Sequence, residues 1–332
     1  MKVNFKITTA CPANCTCCQE RLHNFRINYF DTVAQSNIIM RIIRLFEEVG
    51  DSKNSISITG GEPSVIDNLP EIVKAFSKEG ITVGIDTNGW NVTYDWLRRM
   101  EEAELDYVLI SLYSLNKASF DKMRGTGDTD LFDRASRAID ALEQLKKEHS
   151  SIKVRQQVTL LKDNYQEVPI LLENAIERGF DAFSTAYFIS ASEDSITGMS
   201  EADIVNFRQN IIPKVIEVLK NNKMSNEKFH ENLKRISSFF EFKGVTIDEV
   251  ARGYYRPNND MCNDTNRIVI YPNGDAVPCT AFDYFIEGSK SVNILKSSYS
   301  QIVNSHLFID FWKRPNYMCT RCPNGHQIWI DL

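Results

Sequence analysis

Short apolar runs alternate with amphipathic helical stretches over the first 190 residues, and this alternation most limits how the chain can fold. VNFKITT (3–9), SISIT (55–59), TVGIDT (82–87), DYVLISLY (106–113), IKVRQQVTLL (152–161) and FDAFSTAYF (180–188) read as strands. Between them, helical periodicity covers 33–49, 69–80, 93–103, about 130–148 and about 165–178. Thr93 is placed to cap one helix start and Gly80 to end another. Strands and helices alternating in this way pair in parallel through right-handed crossovers. An open doubly wound sheet and a partial barrel both satisfy the pattern. In either, ligands gather at the C-terminal ends of the strands.

The residues at those ends are unusual as a set. CPANCTCC (11–18) follows the first strand and GGEP (60–63) the second. Asn88-Gly89 follow the third, the fourth carries Ser111, and the sixth ends in Tyr187-Phe188. Glycine, proline and asparagine punctuate any strand-to-helix loop, and for Thr87-Asn88-Gly89 alone that plain reading is as good as a functional one. Thiols, a carboxylate and hydroxyls on one rim go beyond what turns require.

Composition narrows the classes. The 332 residues suffice for one large or two ordinary domains, and the net charge of -6 argues against a nucleic-acid surface as the main business. Mean hydropathy is -0.31, and no segment approaches the ~20 apolar residues of a membrane span. MKVNFKITTACP holds no signal-peptide apolar stretch, so the expectation is a cytoplasmic protein with neither nucleic-acid nor membrane partners. A reducing compartment disfavours structural disulfides and turns clustered cysteines towards metal or catalysis. The eight cysteines are Cys11, Cys15, Cys17, Cys18, Cys262, Cys279, Cys319 and Cys322. Four at one end and four at the other suggest two sites.

Cys11, Cys15 and Cys18 stand as C-x3-C-x2-C. Three thiolates can hold three irons of a [4Fe-4S] cube and leave the fourth iron open, although a zinc knuckle can use similar spacing. This triple after strand one, with GGEP after strand two, resembles the radical S-adenosylmethionine (SAM) enzymes over roughly residues 1–190. The resemblance implies a partial (β/α)6 TIM-like barrel whose open iron chelates SAM. It also implies one-electron cleavage of SAM to a 5'-deoxyadenosyl radical that abstracts a substrate hydrogen. By analogy Gly60, Gly61 and Glu62 receive the methionine amino group and Pro63 shapes the turn. Elementary chemistry agrees: glycines let backbone oxygens approach closely, and a carboxylate suits an ammonium. Ser111 and Gln157 match positions that often bond SAM. Members usually carry an aromatic residue before the third ligand. Cys17 stands there instead, either as a small apolar filler or as a hydrogen donor or alternative ligand.

The second cysteine group begins CNDTNRIVIYPNGDAVPC and ends CTRCP. Residues 267–271 and 275–279 read as a hairpin turning on Asn273-Gly274, followed by a helical pattern over 302–312. Cys262, Cys279, Cys319 and Cys322 make a full tetrahedral thiolate set, which alone fits zinc as well as iron. C-x11-G-x4-C with a later C-x2-C resembles the twitch domain, the shortened form of the SPASM domain. That resemblance implies one auxiliary [4Fe-4S] cluster in a small α+β domain. The expected organisation is a radical SAM barrel over 1–190, a helical connector or substrate cover over 191–253 starting on a Ser200 cap, and a twitch domain over 254–332.

The resemblance implies a reducing partner such as flavodoxin or ferredoxin, and a substrate that is a peptide or a small molecule. Maturation of a ribosomally made peptide by oxidation or crosslinking leads, with the auxiliary cluster taking an electron. Dehydrogenation of a small alcohol or aminosugar is the alternative. No segment precedes the first strand in this sequence, which weakens the peptide case. Epimerisation, with Cys17 the only spare thiol, is disfavoured. His23, Arg124, Arg155 and His326 are candidate bases that the sequence does not separate.

Overall fold

The computed structural model describes residues 1–18, 32–51, 53–125, 130–187, 198–222, 224–237, 267–279, 292–312 and 327–332. Six parallel strands, β1 (Lys2–Thr8), β2 (Ser55–Gly60), β3 (Thr82–Thr87), β4 (Tyr107–Ser111), β5 (Lys153–Leu160) and β6 (Ala182–Tyr187), lie side by side in chain order. A doubly wound sheet would reverse direction at a switch point. Sequential order without reversal is barrel winding, so the partial-barrel expectation holds.

The helices between them are α1 (Thr32–Val49), α2 (Leu69–Ser77), α3 (Tyr94–Glu102), α4 (Lys117–Arg124), α5 (Leu131–Lys147) and α6 (Val168–Glu177). Alternation along each strand explains the two layers. Val3, Phe5, Ile7, Ile56, Ile58, Val83, Ile85, Val108, Ile110, Val154 and Val158 are buried in one core with Ile42, Leu45, Val73, Phe76, Leu97, Leu142 and Leu171 of the helices. The opposite strand face carries polar residues and lines the barrel lumen. Caps set the helix starts where the sequence places them: Thr93 Oγ1 accepts from Trp96 N at 3.1 Å, and Ser200 forms a reciprocal capping box with Asp203. α4 went unread because KASFDKMR is short and polar; Asn116 caps it by accepting from Ser119 N at 3.1 Å.

The later residues add α7 (Glu201–Asn206), a π-turn over Phe207–Ile211, α8 (Ile212–Asn221) and α9 (Asn226–Ser237). They also add β7 (Arg267–Ile270), β8 (Asp275–Val277), β9 (Val292–Asn293), α10 (Tyr299–Val303), α11 (His306–Trp312) and β10 (Gln327–Asp331). The hairpin on Asn273-Gly274 forms, with Tyr271 N donating to Asp275 O at 2.8 Å. The single helical pattern over 302–312 instead divides into α10 and α11 around Asn304 and Ser305.

The C-terminal residues do not build a separate sheet. β7 pairs in parallel with β1, and β10 pairs antiparallel with β6, giving one ten-stranded sheet in the order β10-β6-β5-β4-β3-β2-β1-β7-β8-β9. Both edges of the parallel sheet are therefore covered by C-terminal strands. β10 is closed in turn by α9. Asn232 donates Nδ2 to Asp331 O at 2.9 Å and accepts from Asp331 N at 3.1 Å, imitating one more strand at an edge that would otherwise offer free backbone groups. Asn232→Ala leaves both half-buried backbone groups of Asp331 without these partners and is expected to cost about 1–3 kcal/mol in urea denaturation; a loss well under 1 kcal/mol would contradict this.

Candidate active site at the C-terminal rim

The cysteine loop is held by backbone on two sides. Gly61 N donates to Thr8 O at 2.7 Å and Glu62 N to Ala10 O at 2.8 Å, so the glycine turn lies directly against the end of β1. A Cβ on Gly60, whose φ is +126°, would meet Thr8 O at 2.3 Å, and one on Gly61 would meet Ala10 O at 2.2 Å. Only glycine permits this approach. On the other side, Asn14 N donates to Arg124 O at 3.0 Å, and Thr16 N and Oγ1 donate to Met123 O at 2.9 and 3.1 Å. The end of α4 thus fastens the middle of CPANCTCC. Cys15 and Cys17 are buried, Cys11 and Cys18 are half-buried, and none of the four is in a disulfide.

Glu62 lies beneath the glycine turn. Its carboxylate is fully buried and accepts from Ser64 N at 3.0 Å, Asn88 N at 2.7 Å and the Thr87 hydroxyl. Burial raises its pKa, and these three donors oppose the rise. A side chain enclosed in this way ties the β2 and β3 turns together. Pro63 opens a short 3-10 turn over Pro63–Val65. Gly60 and Gly61 stay partly exposed at the rim.

Asn88 joins this brace to the thiols. While its backbone N–H binds Glu62, its Nδ2 donates to Cys11 Sγ at 3.5 Å. Ser111 and Gln157 are direct register partners on β4 and β5, and Gln157 pairs with Ser184 on β6. Ser184 Oγ donates to Gln157 Oε1 at 3.4 Å. The strands therefore bring Ser111 and Gln157 together on one rung at the rim.

Arg124 binds to the same loop. Its guanidinium donates to Cys15 Sγ at 3.4 Å and to Ser111 O at 2.5 Å, and it lies 4.0 Å over the Tyr113 ring. Arg124 is 3% exposed, its Nε has no hydrogen-bond partner, and the charges that act on it are those of Cys15, Tyr113 and Cys17 rather than a carboxylate. These contacts make it a poor base. Cys17 donates to Tyr113 OH at 3.6 Å, and Thr159 Oγ1 donates to the same oxygen at 3.2 Å. Burial followed by the charge of Cys15 pushes Cys17 up to about 12; burial, with Glu62, Cys15 and Cys18 adding to it, does the same for Cys11.

These features test whether the loop suits an iron–sulfur cluster. A buried guanidinium without a carboxylate needs a negative neighbour, since an uncompensated buried charge costs several kcal/mol. Burial keeps the Cys11 thiol neutral by itself, and a cationic centre beside it would favour the thiolate. Three thiolates around iron answer both demands. Among the described residues, no three Cys, His, Asp or Glu side chains converge as ligands of a single ion. A four-iron cube takes one thiolate per iron and needs no such convergence. Of the second cysteine set only Cys279 lies among the described residues; Cys262, Cys319 and Cys322 lie outside them, as do His23 and His326.

Below the rim, the lumen holds several charges, of which the sequence reading singled out Arg155 alone. Asp86 sits two residues before Asn88 on the inward face of β3, level with Leu109 and Arg155. Burial raises its pKa from the ordinary 3.8 to about 6, against the pull of a Ser57 hydrogen bond and the charges of Arg155 and Arg267. The Arg155 guanidinium is stacked 4.2 Å from the Tyr107 ring and 5.2 Å from that of Trp329. Gly84 leaves room for that tyrosine, since a Cβ there would fall 1.9 Å from its ring. Lys6 Nζ donates to Tyr271 OH at 3.1 Å. The available signal was TVGIDT itself: Val83 and Ile85 point outward, so an aspartate on the alternate face points into the lumen.

Comparison with known proteins follows the same lines. The family profile of the Radical SAM superfamily matches residues 5–182, and that of an iron-sulfur cluster-binding domain, SPASM, matches residues 262–323. A GTP 3',8-cyclase of Clostridium perfringens is 25% identical over 288 residues, covering 86% of this chain and 81% of the relative. Among solved structures, anSMEcpe with bound AdoMet superposes with a TM-score of 0.68 at 16% identity, covering 94% of this chain and 82% of that one. SuiB of Streptococcus suis bound to precursor peptide SuiA gives 0.64 at 18% identity, covering 97% and 69%. No helix among the described residues is long and apolar enough to cross a membrane.

Two outcomes are expected. Gly61→Ala drives a methyl into Ala10 O, so the protein stays folded by circular dichroism but binds about half the iron of the parent after anaerobic reconstitution; full iron content would contradict the brace. The folded state holds a proton on Asp86 that the unfolded chain releases, so this stabilisation is complete below pH about 4 and lost as pH rises through about 6. Asp86→Asn should therefore be more stable than the parent at pH 7.5, by on the order of 1–3 kcal/mol in urea. The gap should narrow towards pH 5.5; no gain at pH 7.5 would refute it.

Proposed function

The chain belongs to the radical SAM superfamily and carries an iron-sulfur cluster-binding domain, and from that premise we propose that it oxidises or crosslinks a ribosomally made peptide. Its cofactors are SAM, a SAM-binding [4Fe-4S] cluster and auxiliary iron–sulfur. We assign the first cluster to Cys11, Cys15 and Cys18. Cys262, Cys279, Cys319 and Cys322, within 254–332, are assigned to one auxiliary [4Fe-4S] cluster that takes an electron from the substrate. When bound, the first cluster and SAM supply a 5'-deoxyadenosyl radical that removes a hydrogen atom from a substrate C–H bond.

The chain's own residues divide the remaining work. Gly60 and Gly61 present partly exposed backbone at the rim and would hold the methionine end of SAM. Ser111 and Gln157 offer a hydroxyl and an amide on the adjoining rung. Asn88 and Arg124 donate to Cys11 and Cys15 and hold the thiolates in place. The lumen wall below excludes bulk water and positions the substrate, with Asp86 poised near pH 6 to accept a proton as the substrate is oxidised. The carrying observation is that vertical order. Cys11 touches Asn88 at the rim, just past the end of β3, and Asp86 lies two residues earlier, inside β3.

The peptide reading is supported by the fold shared with SuiB, which admits the precursor peptide SuiA. A second reading, a small charged molecule, draws on the lumen, where Lys6, Arg155 and Arg267 outnumber Asp86, and on the GTP 3',8-cyclase relatives. The test is anaerobic. Reconstituted protein receives SAM and dithionite, then either short peptides encoded beside its gene, GTP or aminosugars. The expected result is a several-fold rise in 5'-deoxyadenosine with one peptide, and a peptide mass lower by two hydrogens. Stimulation by GTP or an aminosugar alone would replace the peptide reading with the second. No 5'-deoxyadenosine under any condition would overturn both.

A further inference from the structure

Arg124 is placed as few arginines are. It is the last residue of α4, and its backbone carbonyl takes the Asn14 N–H of the cysteine loop. Its guanidinium is pinned along two edges, by Cys15 Sγ at 3.4 Å and Ser111 O at 2.5 Å, and against a face, by the Tyr113 ring at 4.0 Å. Phe120 lies 5.4 Å from it on the same helix. A planar fork held in this way cannot swing out to solvent. The Asn88 amide donates to Cys11 at 3.5 Å and carries no charge.

We propose that Arg124 is a positioning residue that sets the reduction potential of the cluster held by the cysteine loop. The proposal rests on the assignment of Cys11, Cys15 and Cys18 as ligands. Reduction adds one negative charge to the cluster. A fixed positive charge in a buried site stabilises that charge far more than it would in water, and an N–H donor on a ligand sulfur acts in the same direction. Arg124 therefore raises the potential and makes the electron that starts each turnover easier to deliver. Asn88 contributes the weaker, uncharged part at Cys11.

The test needs no substrate. The anaerobically reconstituted full chain is titrated potentiometrically under EPR, and the signal that changes on adding SAM identifies the cluster. Arg124→Gln keeps a planar amide and removes the charge; its midpoint should fall by at least 59 mV, a tenfold loss in the reduction equilibrium for a one-electron couple. Arg124→Lys keeps the charge and should stay within half that shift. A midpoint in Arg124→Gln equal to the parent's would overturn the proposal, as would an equal fall in both variants. If Arg124→Gln assembles no cluster, parent protein labelled with guanidinium-15N arginine decides by pulsed EPR. A 15N coupling on the SAM-sensitive signal is expected, and its absence overturns the proposal. A parent protein with no SAM-sensitive signal would fail the ligand assignment itself, which is a different and recognisable result.

Discussion

Two backbone hydrogen bonds, Gly61 N to Thr8 O and Glu62 N to Ala10 O, are the contact on which the rest of the site depends. They bring the second strand's turn against the end of the first with no room for a side chain. From there the order propagates. Glu62 is buried beneath the contact and gathers Ser64, Thr87 and Asn88, and Asn88 reaches Cys11. The enclosed carboxylate is compatible with burial because three donors meet it; an unpaired one would have destabilised the rim it organises.

The cysteine loop is thus fixed between two rigid supports, the glycine turn and the end of α4. Fixing matters because a cluster is only as well placed as its ligands, and ligands held by backbone hydrogen bonds do not drift. The lumen continues the same economy. The parallel sheet supplies Asp86, Tyr107 and Arg155, while C-terminal strands supply Arg267, Tyr271 and Trp329 at its two edges. The C-terminal part thereby does two things at once: it closes both sheet edges and completes the wall of the chamber under the rim.

Much of this was legible in the sequence, for physical reasons that differ by element. Strands buried on the helix side alternate too strongly to be missed, and TVGIDT is found at its full length because Gly80 ends one helix before it and Asn88-Gly89 turn the chain after it. Thr93 and Ser200 cap by short-range bonds, which sequence spacing encodes. Long-range contacts are not encoded in that way. β10 has only five residues, and its partner lies 143 positions earlier, as Ile328 N meeting Thr185 Oγ1 shows. GGEP announces a turn but not the long-range partners of its glutamate, Thr87 and Asn88. Arg124 and Asp86 look like ordinary surface charges until the helix end and the strand face are known.

The central claim is that the loop of Cys11, Cys15 and Cys18 holds a cube with one iron left for SAM. Mössbauer spectroscopy of 57Fe-reconstituted protein, before and after SAM, tests it most directly. The account predicts about eight irons per chain in two four-iron clusters, with one iron changing its isomer shift when SAM binds. Spectra that are identical with and without SAM, in protein carrying its full iron, would contradict it.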